Sequence, residues 1–182
     1  MRRGWIPPRR SAPNSLTSVA DARDHSTFEH IVRAYGETLA RLAWGYTDNR
    51  PDHDDLLQDI LVAIWRALPR FRGEASERTF VLRVAHNRGV TFVSRRRVHD
   101  PLDQHTTIAD PRPGPDEELD RAAQHTKLVA AIRMLPPALR DTVMLRLEGC
   151  AVPEIAVVLN VTENNVSVRL NRARDRLREL LA

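Results

Sequence analysis

Apolar residues recur at steps of three and four on both sides of one stretch, "HDPLDQHTTIADPRPGPDEE" (residues 99–118), and nowhere in the chain do they alternate. Steps of three and four stack side chains on one face of a helix, whereas a half-buried strand needs a period of two. The stretch itself follows neither period and is rich in Pro, Asp and Gly, residues of turns and flexible connections. The expected fold is therefore all-α, with two small helical domains joined by a flexible linker. Residues 25–98 and 117–182 form the expected domains, 99–116 the linker and 1–24 a disordered basic tail.

In the first domain, Phe28 to Trp44 is expected to be a helix with Ile31, Tyr35, Leu39 and Leu42 on one face. A second helix opens with Asp52 as its N-cap, carries acids in its first turn where the helix dipole favours them, and ends at Pro69. Leu57, Ile60, Leu61, Ile64, Trp65 and Leu68 make its apolar stripe. A third helix, Glu77 to Arg97, buries Phe80, Val81, Val84 and Ala85 and finishes in Arg95, Arg96 and Arg97. Three cations suit a helix C-terminus on dipole grounds alone.

The second domain reads as four helices. Glu117 to Met134 is followed by the Pro136-Pro137 break, and Ala138 to Glu148 stops at Gly149, a good C′ residue. Pro153 falls in the first turn of a short helix ending near Leu159, and Thr162 caps the last one. These last two helices and the turn Asn160-Val161-Thr162 make a helix-turn-helix, in which Asn160 tolerates the positive φ the turn needs. Val166, Leu170, Ala173, Leu177 and Leu180 must face inward. Asn164, Val168, Asn171 and Arg172, flanked by Asn165, Ser167 and Arg169, are left to face outward. Such a face either reads the DNA major groove or is the solvated side of an ordinary helical hairpin.

The 182 residues carry 28 Lys+Arg against 24 Asp+Glu, and Lys127 is the only lysine. Arginine's planar donor fork suits phosphate and guanine edges, so a nucleic-acid partner fits the composition. The segment from Phe71 to Arg97 interleaves arginines with Phe71, Phe80 and Phe92 and presents His86, Asn87 and Arg88 between them. Aromatic and basic side chains close together can hold unpaired bases, although the same aromatics also serve a small helical core. Asp55, Gln58 and Asp59 share one face of the second helix, which is either solvated or a docking surface for a basic partner.

One cysteine, Cys150, excludes an internal disulfide framework and fits a reducing cytoplasm. No segment is apolar for long enough to span a bilayer, so a cytoplasmic protein without membrane insertion is expected. A Gly-rich phosphate loop, a His pair at zinc spacing and a nucleophile elbow are all missing, and neither a catalytic residue nor a cofactor is expected.

Taken together, "DHDDLLQDILVAIWRALPRFRGEASERTFVLRVAHNR" resembles domain two of the extracytoplasmic-function sigma factors of bacterial RNA polymerase. The stretch "LPPALRDTVMLRLEGCAVPEIAVVLNVTENNVSVRLNRARDRLREL" resembles their domain four. The resemblance implies an initiation factor that binds core RNA polymerase, directs it to promoter DNA and helps melt the strands. By it, Asp55, Gln58 and Asp59 would dock on the clamp helices of the polymerase largest subunit. Phe71 and Asn87 would belong to the elements receiving a flipped base of the minus-ten element, with Arg83, Arg88, Arg95, Arg96 and Arg97 on nearby phosphates. Asn164, Asn165, Ser167, Val168, Arg169, Asn171 and Arg172 would face the minus-thirty-five element. An anti-sigma partner is common in the family and is an expectation here. The chain departs from the family's habit with Asn160 where Gly is frequent and Val152-Pro153 where an aromatic-acidic pair is frequent, which implies an upstream element its relatives need not share. The alternative is a stand-alone helix-turn-helix regulator that binds duplex DNA without polymerase.

Overall fold

The computed structural model describes residues 15–99 and 116–182, and every regular element among them is helical. In chain order these are α1 (Ser15–Trp44), α2 (Arg50–Ala67), a 3-10 turn (Leu68–Arg70), α3 (Glu77–His99), α4 (Asp116–Arg133), α5 (Pro137–Leu147), α6 (Val152–Leu159) and α7 (Glu163–Leu181). No helix among the described residues is long and apolar enough to cross a membrane. The first fourteen residues of the expected tail and residues 100–115 of the expected linker lie outside the described residues.

Two local expectations are corrected. The first helix does not begin at Phe28 and the expected tail does not run to residue 24, because α1 reaches back to Ser15. Around the expected start α1 packs on α2, where the rings of His25 and Phe28 meet Trp65 edge-on, at 6.0 and 5.3 Å between centroids. Packing of this kind overrides weak local propensity. The N-cap of α2 is Asn49, not Asp52. Asn49 has extended backbone, and its side-chain oxygen accepts the Asp52 N–H at 2.9 Å while its amide donates to the Asp52 carboxylate at 2.6 Å. Asp52 thus stays in the first turn, where its charge still complements the dipole.

The turns of the second domain follow from single residues. Gly149, at φ 82°, ends α5 and lets the Cys150 N–H reach back to the Leu145 carbonyl at 3.1 Å. Asn160, at φ 54° and ψ 50°, ends α6, and the Val161 N–H bonds the Ala156 carbonyl at 3.0 Å. Thr162 then caps α7 by accepting the Asn165 N–H at 3.2 Å. At the start of α6, Glu154 accepts the Ala151 N–H at 2.8 Å, which is half of a capping box.

Ile31, Leu39, Leu56, Ile60, Ile64, Val81 and Leu82 form the centre of the first domain. The same buried cluster continues without a break into the second through Leu145, Cys150, Ile155, Val158 and Val166. A smaller one, with Ile132, Leu135, Val143 and Ala173, holds α4, α5 and α7 together. The two lobes are therefore packed on each other, with α3 lying against α6.

Inside the first lobe, α3 approaches Tyr46 so closely that a Cβ on Gly89 would sit 2.4 Å from the ring. Tyr46 is buried and cannot swing aside. Gly89→Val, which regains little helix propensity because valine is β-branched, is expected to destabilise the protein by about 1–3 kcal/mol through overpacking. A lower urea midpoint at unchanged slope is the reading to expect.

Candidate nucleic-acid interface

Three surfaces carry the residues singled out from the sequence. On α2, Asp55, Gln58 and Asp59 are all exposed, and the adjoining Leu56 and Ile60 are fully buried, so the acidic face points outward. It forms one wall of a shallow groove of about 690 Å³ whose other wall is Phe92, Arg95 and Arg96 of α3. Arg96 is ion-paired with Asp52 on the groove floor. Two of the three terminal arginines thus border the acidic face, a proximity that separate readings of the two helices did not foresee. The side chain of Arg97 lies outside the described residues.

On α3, Arg83 and Asn87 are one turn apart on the exposed side, continued by Val90 and Ser94, while Arg88 is half-buried. The Asn87 carbonyl accepts from the Thr91 hydroxyl at 2.7 Å, leaving the Asn87 amide on the surface. Phe71 is half-buried and its ring stacks on Phe80 at 4.6 Å. Because Phe80 is seven residues before Asn87, the stacked pair lies about 10 Å up the helix axis from Asn87 at ~1.5 Å per residue. Phe71 lies in the loop before α3, and Phe80 stands about one turn ahead of Arg83 on that helix.

On α7, Val166 and Ala173 are fully buried and Leu170, Leu177 and Leu180 partly so, as the three- and four-residue steps require. Asn164, Asn165, Ser167, Val168, Asn171 and Arg172 are exposed. The Ser167 hydroxyl donates to the Glu163 carbonyl at 3.1 Å, and the Asn171 carbonyl oxygen accepts from Arg174 at 3.3 Å. Arg169 differs from its neighbours. It is half-buried, and its charge acts on His86 and Asp141 at the junction of the lobes.

That junction is what sequence reasoning missed. Glu148, just past the end of α5, accepts two hydrogen bonds from the Arg41 guanidinium at 2.8 and 2.9 Å and one from the Thr38 hydroxyl at 3.0 Å. Its backbone carbonyl accepts from Arg78. Arg83 donates to the Val157 carbonyl of α6 at 2.5 Å, and Arg133 of α4 donates to the Trp44 carbonyl at 3.3 Å while lying over its ring. Between these sits a buried polar cluster. The Tyr46 hydroxyl and His86 Nδ1 share a hydrogen bond at 2.9 Å, and the Asp141 carboxylate is 3.8 Å from the same nitrogen. A signal was present: Asp141 stands on α5 next to Thr142 and Val143, where an apolar residue would ordinarily go.

Burial sets the electrostatics here. It pulls the Glu148 carboxyl upward, but the bonds from Arg41 and Thr38 outweigh it and leave the group below its usual range. Burial pushes the Tyr46 phenol well up and the Asp141 carboxyl up, the latter despite the nearby His86 and Arg140. It pulls His86 below its ordinary 6.5, with Asp141 opposing the shift. One Asp141 oxygen, Oδ1, has no hydrogen-bond partner. Among the described residues, no group of three His, Cys, Asp or Glu could hold a metal ion.

A depressed histidine pKa means that folding disfavours protonation, so the His86 contribution is full above about pH 6.5 and is lost as pH falls through the lower folded value. Asp141 has the opposite sign, since acid relieves the burial of its charge. Wild type is expected to lose more stability between pH 7 and pH 5.5 than His86→Gln, which keeps Asp141 and does not titrate. Parallel urea midpoints for the two proteins across that range would refute the assignment.

Comparison with known proteins follows the division of the chain. Residues 31–98 match the family described as Sigma-70 region 2, and residues 125–177 match Sigma-70, region 4. The chain is 30% identical over 172 residues to the ECF RNA polymerase sigma factor SigM of Mycobacterium tuberculosis, covering 91% of this chain and 83% of that protein. It is 27% identical over 180 residues to the RNA polymerase sigma factor CnrH of Cupriavidus metallidurans, covering 93% and 94%. Among solved structures, CnrH in complex with the cytosolic domain of CnrY aligns at a TM-score of 0.65 and 26% identity, over 92% of this chain and 95% of that one. The sigma factor RpoE in complex with the anti-sigma factor NepR, from Bartonella quintana, shares the fold at a TM-score of 0.72 and 19% identity, over 85% and 96%.

Proposed function

The chain belongs to the extracytoplasmic-function sigma factors of the sigma-70 family, and from that premise we propose how its surfaces divide the work of transcription initiation. Sigma factors bind core RNA polymerase and direct it to promoters. The observation that carries the residue assignment is the placement of three separate exposed polar faces, on α2, α3 and α7, each backed by fully buried apolar side chains. Residues 25–98 act as domain two and 117–182 as domain four, with no reaction of their own; bond formation belongs to the polymerase. Work inside the cytoplasm, where the polymerase is, follows from the same reading.

Asp55, Gln58 and Asp59 meet the clamp helices of the polymerase largest subunit. Acidic side chains on a helix face complement basic residues on a partner and set association rate and register. In a pull-down with purified core enzyme, Asp55→Arg with Asp59→Arg is expected to lose core binding by at least about tenfold, the scale of a lost charge pair at a contact. Retention equal to wild type would remove the assignment, and a wild type that ignores core altogether would favour a stand-alone DNA-binding regulator.

Asn87, with Arg83 and Arg88 beside it, takes the opened strand of the minus-ten element, and Arg95, Arg96 and Arg97 hold phosphates further along. Phe71 stiffens the loop before α3 through its stack on Phe80. Preferential binding of the opened strand shifts the duplex equilibrium toward melting without any catalysis. Asn87→Ala is expected to lower transcription from a duplex promoter severalfold more than from the same promoter with a pre-melted bubble. Equal loss on both templates would place Asn87 outside the melting step.

Domain four lays α7 in the major groove at the minus-thirty-five element. Asn164, Asn165 and Asn171 suit adenine edges, Val168 a thymine methyl, and Ser167, Arg169 and Arg172 complete the face. The two solved relatives are bound to CnrY and to the anti-sigma factor NepR, and an anti-sigma partner is proposed for this chain on that likeness.

A further inference from the structure

The charge of the chain is unevenly laid out. Its formal net charge is +4, and the first fourteen residues hold Arg2, Arg3, Arg9 and Arg10 with no acidic residue among them. Without those four arginines the remaining 24 Lys+Arg equal the 24 Asp+Glu, so the whole basic excess belongs to this one segment ahead of α1. A segment of one sign beside a balanced body is drawn to unpaired charge of the other sign within its reach.

Such charge stands on α2. Of its aspartates, Asp52 is paired with Arg96 and Asp54 with Arg50 and His53, whereas Asp55 and Asp59 make no ion pair among the described residues. Both are exposed and one turn apart, on the wall of the groove that faces the half-buried Phe92 of α3. The groove's own cations stand on the far wall, where Arg96 is already engaged by Asp52.

The segment is long enough to arrive there. Since His25 and Phe28 meet Trp65 across a short turn between the helices, α1 and α2 run antiparallel. At ~1.5 Å per residue, Ser15 lies about 17 Å beyond that contact, and Asp59 and Asp55 about 9 and 15 Å on its other side. The separations along the axis are therefore roughly 26 and 32 Å. Arg3, twelve residues before Ser15, reaches about 40 Å at ~3.3–3.6 Å per residue, and Arg10, five residues before it, at most about 18 Å. Arg2 and Arg3 can span to both aspartates, and Arg10 cannot span to Asp55.

We propose that the N-terminal segment seats Arg2 and Arg3 on Asp55 and Asp59, with Trp5 against Phe92, and so shields this face of α2 from core RNA polymerase. The competition with polymerase rests on the core-binding reading given above; the seating itself does not. A short tether supplies the segment at an effective concentration on the order of millimolar, so a weak exposed charge contact suffices. Polymerase then meets an apparent affinity lowered by the fraction of molecules whose face is open.

The test uses the full chain. Arg3→Lys keeps the charge and places a primary amine far out on the segment, and Arg10→Lys does the same close to α1. A water-soluble carbodiimide joins an amine to a carboxylate that it touches. In monomeric Arg3→Lys, mass spectrometry should find position 3 linked to Asp55 or Asp59, whereas position 10 of Arg10→Lys should not be linked to Asp55. In parallel, Arg2→Glu with Arg3→Glu should bind purified core enzyme about fivefold more tightly than wild type at low salt, the change expected if about a fifth of wild type has its face open. That gap should narrow as salt is raised, because the contact is exposed. No link from position 3 to either aspartate overturns the seating whatever core binding shows, and a loss of promoter binding by Arg2→Glu with Arg3→Glu would then make the segment a DNA-binding arm instead. A link with core affinity unchanged overturns the competition. Undiminished core binding by Asp55→Arg with Asp59→Arg removes the core-binding reading and the competition with it, while a link found in Arg3→Lys still upholds the seating.

Discussion

The end of α5 is where two helices of the first lobe meet one residue of the second. A helix C-terminus carries unpaired carbonyls and the negative end of the dipole, and Glu148 adds a carboxylate there, so cations are drawn to it twice over. Arg41 and Arg78 answer from two different helices of the first lobe. Gly149 makes the arrangement sterically possible, since its positive φ turns the chain sharply and leaves the Glu148 carbonyl open to Arg78. With that point set, α6 lies along α3, Met144 closes over Gly45, and the buried apolar cluster runs through both lobes.

The packing has a cost that it carries internally. Tyr46, His86 and Asp141 are polar groups shut between the lobes, and one carboxylate oxygen is without a partner. An interface of mixed polar and apolar character with such a defect is one that domains can leave. For a sigma factor, which works on both polymerase and promoter DNA, a junction of this mixed character is easier to rearrange than a permanent apolar core. The arrangement also explains why α3 looks overloaded in sequence: one side builds the core, one carries Arg83 and Asn87, and its end borders the acidic face of α2.

Much of this was written locally in the chain. The existence of each helix, the turn at Asn160, the Thr162 cap and the inward stripe of α7 all depend on residues within a few positions of one another, and these appear where periodicity and cap chemistry put them, whereas the cap of α2 falls on Asn49 and not on Asp52. The exposed status of Asp55, Gln58 and Asp59 was legible for the same reason, although the buried stripe of α2 is turned from the expected one: Leu56 is fully buried with Ile60 and Ile64, Leu57 and Leu61 are half-buried and Trp65 is exposed. The N-terminal extent of α1, which reaches back to Ser15, was not legible, because helix ends carry weaker local signals than helix interiors.

The sequence by itself determined that this is an all-helical chain with a helix-turn-helix at its end and a family resemblance in each half, because helical period, caps and turn residues act over short range. Only the tertiary structure decided that the halves embrace, that Arg83 meets the Val157 carbonyl, and that Arg41 and Arg78 meet at Glu148. Those outcomes depend on which charged side chain meets which across a hundred intervening residues. An arginine in sequence carries the same donors whether it will face a phosphate, a carboxylate or a backbone carbonyl, and only the three-dimensional neighbourhood chooses among them.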